Sequence, residues 1–317
     1  MVQSATPRPS SEARSVSSGS PSGTSQPGAS SGAISVNAKR LAETLPSARS
    51  RAVAAAYPGF ALLCGGLVGG STTGSILRID LPSGHVTTVG HLAVPVHDAA
   101  IAEFGSDVLV IGGGAGNVSS AVQSVDGAGM SALVGHLPAS RADLSAVSAG
   151  GQIIVVAGGT SSGPEATVLS TVDGARFNTI GRLAVPVRYA ATAALDGRIY
   201  VIGGSNSAGD QTAIQRLDPV TGTAEVVGRL PIAISHASAV VLGGQLVVVG
   251  GRSRGTAQSE IWSLDPESGT VSIVGLLPAA VSDAAAVVVD GVGYLFGGEG
   301  AAGSSLDTII SLTQSAP

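Results

Sequence analysis

The sequence has one cysteine, Cys64, in 317 residues. That excludes an intrachain disulfide framework and any cysteine-based zinc site. It has one lysine, Lys39, against fifteen arginines, the usage expected of a GC-rich bacterial coding sequence. Charged residues are 12% of the chain and the net charge is −5, which leaves no polybasic footprint for nucleic acid. Aromatic residues are 3%, so a core of the size this length allows must be built of Ala, Val, Ile and Leu. No apolar run is long enough to cross a bilayer. The most apolar window, 237–251, is broken by Gly243-Gly244-Gln245. No basic start followed by an apolar h-region opens the chain, so no signal peptide is expected. Residues 1–33 have few bulky apolar side chains and are rich in Ser, Pro, Gly, Thr and Ala. They cannot bury enough surface to offset the entropy of ordering, and they read as a disordered tether. Such a tether fits an exported or cell-surface domain slightly better than a cytoplasmic one, and a disordered cytoplasmic tail is the alternative reading.

Glycine, by contrast, is abundant, and it is periodic. A double glycine recurs at Gly65-Gly66, Gly112-Gly113, Gly158-Gly159, Gly203-Gly204, Gly250-Gly251 and Gly297-Gly298, at spacings of 47, 46, 45, 47 and 47 residues. A period of that size marks a repeat architecture. Each unit opens with a short Ala/Val run, such as Ala99–Ala102, and turns at a pair such as Asp196-Gly197 or Gly243-Gly244. These pairs are hairpin signals, because the favoured turns need positive φ. A β-branched or aromatic run follows, such as Ile199–Ile202, and stops at the double glycine. A third run ends in a Leu-Asp-Pro turn (Leu217-Asp218-Pro219, Leu264-Asp265-Pro266), and a fourth completes the unit. Four strands of one meander, repeated about an axis, describe a propeller blade.

At Asp196–Gly204, with its Asp-Gly-x-aliphatic-Tyr-Val-Ile-Gly-Gly stretch, and at the Leu-Asp-Pro turns, the chain resembles the kelch-repeat family. The resemblance runs from about residue 34 to 313. It implies an all-β, six-bladed kelch-type β-propeller of four-stranded antiparallel blades, spanning residues 34–317, with a galactose oxidase-like fold. The chain departs from the family in the fourth strand, where a Trp is usual and Val89, Val134, Ile180, Val227 and Val274 stand here. The last unit ends at its third run, and one run, Ile34–Glu43, is left over at the start. The expectation is that this N-terminal strand pairs with Leu306–Thr313 and closes the ring, which removes two exposed edges.

Aligned on the double glycines, the position that begins strand one reads Ser50, His97, Asp143, Arg188, Ser235, Ser282. The next reads Arg51, Asp98, Leu144, Tyr189, His236, Asp283. The resemblance places both sets, and the residues after each double glycine (Arg252 and Glu299 among them), at the mouth of the central channel. The candidate ligand or partner site is therefore Arg51, Asp98, Arg188, Tyr189, His236 and Asp283, with Arg252 and Glu299 beside them. A solvated rim is the plain alternative. Arg51 between Asp98 and Asp283 should lower both carboxyl pKa values, which speaks against a proton-donating acid there. His236 should confer pH sensitivity near 6.5.

His97 and His236 lie in opposite units, too far apart to share one ion, so no metal site is expected. Cys64 and the four tyrosines do not form the copper-radical site that kelch oxidases carry. No Ser/His/Asp constellation and no phosphate loop is present, and no cofactor or catalytic residue is expected. The chain reads as a monomeric, non-catalytic binding module for a protein or peptide. The alternative, implied by the family, is a carbohydrate-binding or sugar-modifying enzyme of the kelch epimerase or oxidase kind.

Overall fold

A computed structural model describes residues 34–315, which form β-strands and turns without helix. The expected tether, 1–33, lies outside the described residues. Among the described residues, six sheets share the same four-stranded antiparallel order; two of them carry a short fifth strand, and a three-stranded and a two-stranded ribbon lie apart. The first sheet runs Val53–Tyr57, Phe60–Cys64, Ser75–Asp80, His85–His91 from inside to outside. The fourth runs Ala191–Leu195, Arg198–Ile202, Gly209–Leu217, Ala224–Ile234. In the sixth the outermost strand is Ser35–Thr44, which pairs antiparallel with Thr308–Ser315, Ser35 opposite Ser315. The partner segment thus begins and ends two residues later than the sequence suggested.

The burial pattern explains why these runs form these strands. The second strand of each sheet is buried on both faces, as Leu62, Leu63, Ile154, Val155 and Val247 show. Such strands read as continuous β-branched or aliphatic runs. The outermost strands alternate or face solvent, as in Ser131–His136. The core is not one body. It is divided into six clusters, each packed between two neighbouring sheets; Leu63, Ile79, Tyr294 and Phe296 belong to the one joining the first and sixth. A fully buried side chain of this kind contributes about 1.5–3 kcal/mol, so each interface between sheets is a substantial source of stability. The innermost strands carry Ala because each lies against the innermost strands of both neighbours, and larger side chains would not fit.

The double glycines work at the interfaces between sheets. Gly66, Gly113, Gly158, Gly204, Gly251 and Gly298 each donate their N–H to a carbonyl of the segment that leads into the next sheet, from Val96 O to Arg49 O, at 2.8–2.9 Å. A Cβ on Gly66 would lie 2.7 Å from the Ser50 carbonyl oxygen, so glycine is required by the approach. In the third sheet the frame differs from the sequence alignment. The pair with positive φ is Ala157-Gly158 (58° and 91°), not Gly158-Gly159. Aligning on the wrong glycine moved that unit by one residue.

Candidate functional site

The correction in the third sheet decides which residues face the channel. The residues one step before each innermost strand's Ala or Leu are Arg51, Asp98, Asp143, Tyr189, His236 and Asp283. All six are in the left-handed region, with φ between 52° and 57°. They form a closed circle of backbone hydrogen bonds. Asp98 N–H donates to Arg51 O, Asp143 to Asp98, Tyr189 to Asp143, His236 to Tyr189, Asp283 to His236, and Arg51 to Asp283, at 2.8–3.0 Å. The circle therefore passes once through every sheet and returns to its start.

Asp143 belongs to this circle, and Leu144 does not. Leu144 sits one residue deeper and is buried in the core cluster between the second and third sheets. Asp143 was the member that sequence alignment missed. A signal for it was present: Arg141 precedes Asp143 by two residues as Arg49 precedes Arg51. Both arginines are buried and donate to backbone carbonyls, Arg49 to Gly65 O at 2.9 Å and Arg141 to Thr167 O at 3.1 Å.

The circle surrounds a cavity of about 170 Å³, floored by Ala52, Ala99, Ala190, Ala237, Ala284 and Leu144. All eight candidate residues stand in or beside it. Arg51 reaches Glu299 Oε1 at 3.0 Å, Asp98 Oδ2 at 3.1 Å and Asp283 Oδ1 at 3.8 Å. Arg252 donates to Asp283 Oδ2 at 3.1 Å and also pairs with Glu299. Ser282 Oγ donates to the same Asp283 oxygen at 2.7 Å, which leaves that side chain only 2% exposed. Across the mouth Arg188 pairs with Asp143, donates to the Tyr189 hydroxyl at 2.7 Å, and lies 4.5 Å from the Tyr189 ring centre. Tyr189 also stacks on His236, at 3.8 Å between centroids. His97 stands just outside, its Nδ1 2.9 Å from Thr72 Oγ1.

Burial reshapes the titration of these groups. It pushes Asp98 up to about 7; Arg51 opposes the rise, and Asp143 and Asp283 add to it. That overturns the expectation that Arg51 would lower it, because one guanidinium shared among three carboxylates does not offset the desolvation of a side chain 10% exposed. Burial also raises Asp143, with Arg188 working against it. In Glu299 burial acts upward, but the hydrogen bond from Arg51 and the charges of Arg51 and Arg252 prevail, and the group lies below the usual carboxylate range. Burial lowers His236, with Asp283 opposing, and lowers His97, with Arg51 adding to the effect. Burial therefore holds His236 toward its neutral form, away from the ordinary titration that the sequence led us to expect. Burial, then Asp143 and Asp98, push the Tyr189 hydroxyl up to about 12. The site can accordingly offer carboxylate acceptors, a neutral aromatic pair and one acid that exchanges a proton near neutrality.

Fold and repeat together define a kelch-type β-propeller. The Kelch motif matches residues 186–223 and 233–275. No curated protein matches the chain. Among solved structures it is similar to that described as "Structure of YjhT", with a TM-score of 0.75 and 15% identity over 87% of this chain and 99% of that one. The Kelch motif is thus matched in the fourth and fifth sheets, and the likeness to the solved structure, at 15% identity, is one of fold.

Proposed function

We propose that the protein is a non-catalytic binding module whose mouth takes up a group of a protein or peptide partner. One observation carries this reading. Six backbone positions around the mouth have φ near 55°, where glycine is free of strain, and none of the six is glycine. Holding an L side chain there costs about 1 kcal/mol or more at Arg51 and Tyr189, and less at Asp98, Asp143, His236 and Asp283, whose residue types enter this region more readily. Backbone strain of this kind concentrates where side chains serve a site. All six side chains are polar or charged, and they converge on one cavity. The ring of backbone hydrogen bonds would form equally well with glycine, so ring geometry alone does not account for them.

The test is affinity capture with the full chain, followed by titration of the purified partner against the wild type and the Tyr189→Ala/His236→Ala double variant. The variant should lose binding while remaining folded by circular dichroism. A double variant that binds as tightly as the wild type would move the site to the outer strands.

The second reading, a carbohydrate-binding or sugar-modifying enzyme, has Asp98 in its favour. A carboxyl group titrating at about 7 inside a cavity can give up and take back a proton at neutral pH. Turnover of any member of a sugar panel, lost in Asp98→Asn, would establish that reading in place of the first.

A further inference from the structure

Three guanidinium groups and four carboxylates meet at the mouth. Each guanidinium is already held by a carboxylate of its own chain: Arg252 by Asp283 and Glu299, Arg51 by Glu299 and Asp98, Arg188 by Asp143. Each positive charge is thus matched by at least one carboxylate, although Arg188 is 40% exposed and its Nε has no partner. With all four acids ionised, one negative charge is left over.

The surplus falls between the second and third sheets. Asp98 and Asp143 are neighbours on the circle, joined by the 2.8 Å hydrogen bond from Asp143 N–H to Asp98 O. Arg51 meets Asp98 only through Oδ2, and among the described residues Asp98 Oδ1 has no hydrogen-bond partner. The charged and titratable groups facing Asp98 are Arg51, His97, Asp143, Asp283 and Tyr189. Burial lowers both His97 and His236, which disfavours a positive charge on either. Burial raises the titration of Asp98, Asp143 and Asp283 add to the rise, and Arg51 opposes it only in part, so a further cation beside Oδ1 would favour the ionised form. No group of three or more His, Cys, Asp or Glu side chains among the described residues is placed to hold a metal ion, which points to an organic cation.

Taking the mouth as the binding site, we infer that it accepts a primary ammonium group on an unbranched alkyl stem, seated beside Asp98 and Asp143. An ammonium is a compact charge with three donors, enough to serve Asp98 Oδ1, the Asp143 carboxylate and the hydroxyl oxygen of Tyr189. A planar guanidinium fits less well, because it needs a two-oxygen face and Asp98 Oδ2 already has Arg51. The source is a lysine side chain of a partner or a small free amine, and the two are separated by the choice of probe.

The experiment is calorimetric titration of the full chain at pH 6 and pH 8. The probes are Nα-acetyl-lysine N-methylamide, its ε-acetylated form, butylamine, and Nα-acetyl-glutamate N-methylamide. The lysine probe should bind and its ε-acetylated form should not. Because the ammonium needs Asp98 ionised, affinity should rise with pH through about 7, by about tenfold between pH 6 and pH 8. Asp98→Asn should weaken the lysine probe at least about tenfold and remove the pH dependence; Asn tolerates the φ of 52° at this position, so the variant should fold. Butylamine binding as tightly as the lysine probe assigns the site to small amines, and tighter binding of the lysine probe assigns it to a partner's side chain. Equal binding of the ε-acetylated probe, or no binding of either amine at millimolar concentration, overturns the inference. Binding of the glutamate probe that Arg188→Ala abolishes would overturn the ammonium and leave the mouth standing. A partner bound undiminished by the Tyr189/His236 variant would instead remove the mouth itself.

Discussion

The rings of Tyr189 and His236 stack at 3.8 Å with planes 23° apart, although the two residues belong to different sheets. The contact exists because both backbones are turned into the left-handed region at equivalent points of the circle, where the Tyr189 carbonyl accepts the His236 N–H. A stacked pair of this kind contributes about 0.5–1.5 kcal/mol, which is comparable to the strain of the conformation that creates it.

That balance gives a first prediction. Tyr189→Ala removes the stack and keeps the strain, whereas Tyr189→Gly removes both. The glycine variant should therefore be the more stable of the two by about 1 kcal/mol, the reverse of the usual order within a strand. Chemical denaturation of the two variants checks this, and equal midpoints would show that φ at position 189 relaxes without the ring.

A second prediction concerns pH. Asp98 titrates at about 7 in the folded protein and near 3.8 when unfolded. Between these values the folded state binds the extra proton, so this group makes stability fall as pH rises from 4 to 7, with the full loss present above 7. The difference in stability between wild type and Asp98→Asn should vary with that slope over pH 4–7 and be flat from pH 8 upward. Had Arg51 governed the group, as its position alone suggests, the dependence would run the other way.

The shifted frame of the third sheet is testable by itself. Ala157 holds φ of 58° where the five other sheets have the first glycine of the pair. Ala157→Gly should stabilise the protein by about 1 kcal/mol, because the relief of strain exceeds the entropy gained by the unfolded chain. Gly159→Ala, at a position without positive φ and with no atom nearer than 3.6 Å to the added Cβ, should be tolerated. Melting temperatures that reverse this order would restore the original alignment.

The sixth sheet depends on a strand from the other end of the described chain. Val36 in Ser35–Thr44 is 3% exposed and packs in the core cluster between the fifth and sixth sheets. Val36→Asp should cost several kcal/mol, about 3 or more, by burying an unpaired charge. Deleting residues 1–44 should leave Thr308–Ser315 as an unpaired edge and raise aggregation, measured by light scattering. A deletion variant that melts with the full chain and stays dispersed would show that the strand is dispensable.

Local chemistry in the sequence was enough for the strands, the turns and the repeat. The double glycines, the Asp-Gly turns and the aliphatic second strands each answer to a local requirement, positive φ or burial on both faces, and local requirements are written residue by residue. The resemblance, not local chemistry, put Arg51, Asp98, Arg188, Tyr189, His236, Asp283, Arg252 and Glu299 at one mouth; five of them line the cavity, and Arg188, Arg252 and Glu299 reach it through their ion pairs. Local chemistry failed at Asp143, because Ala157 took a glycine's backbone conformation and a neighbouring glycine offered a false register. It also failed at Asp98. Whether Arg51 lowers that carboxyl or burial raises it depends on how many acids share the guanidinium and how little water reaches them. Those quantities exist only when six sheets, distant in sequence, close the circle on which all of these groups stand.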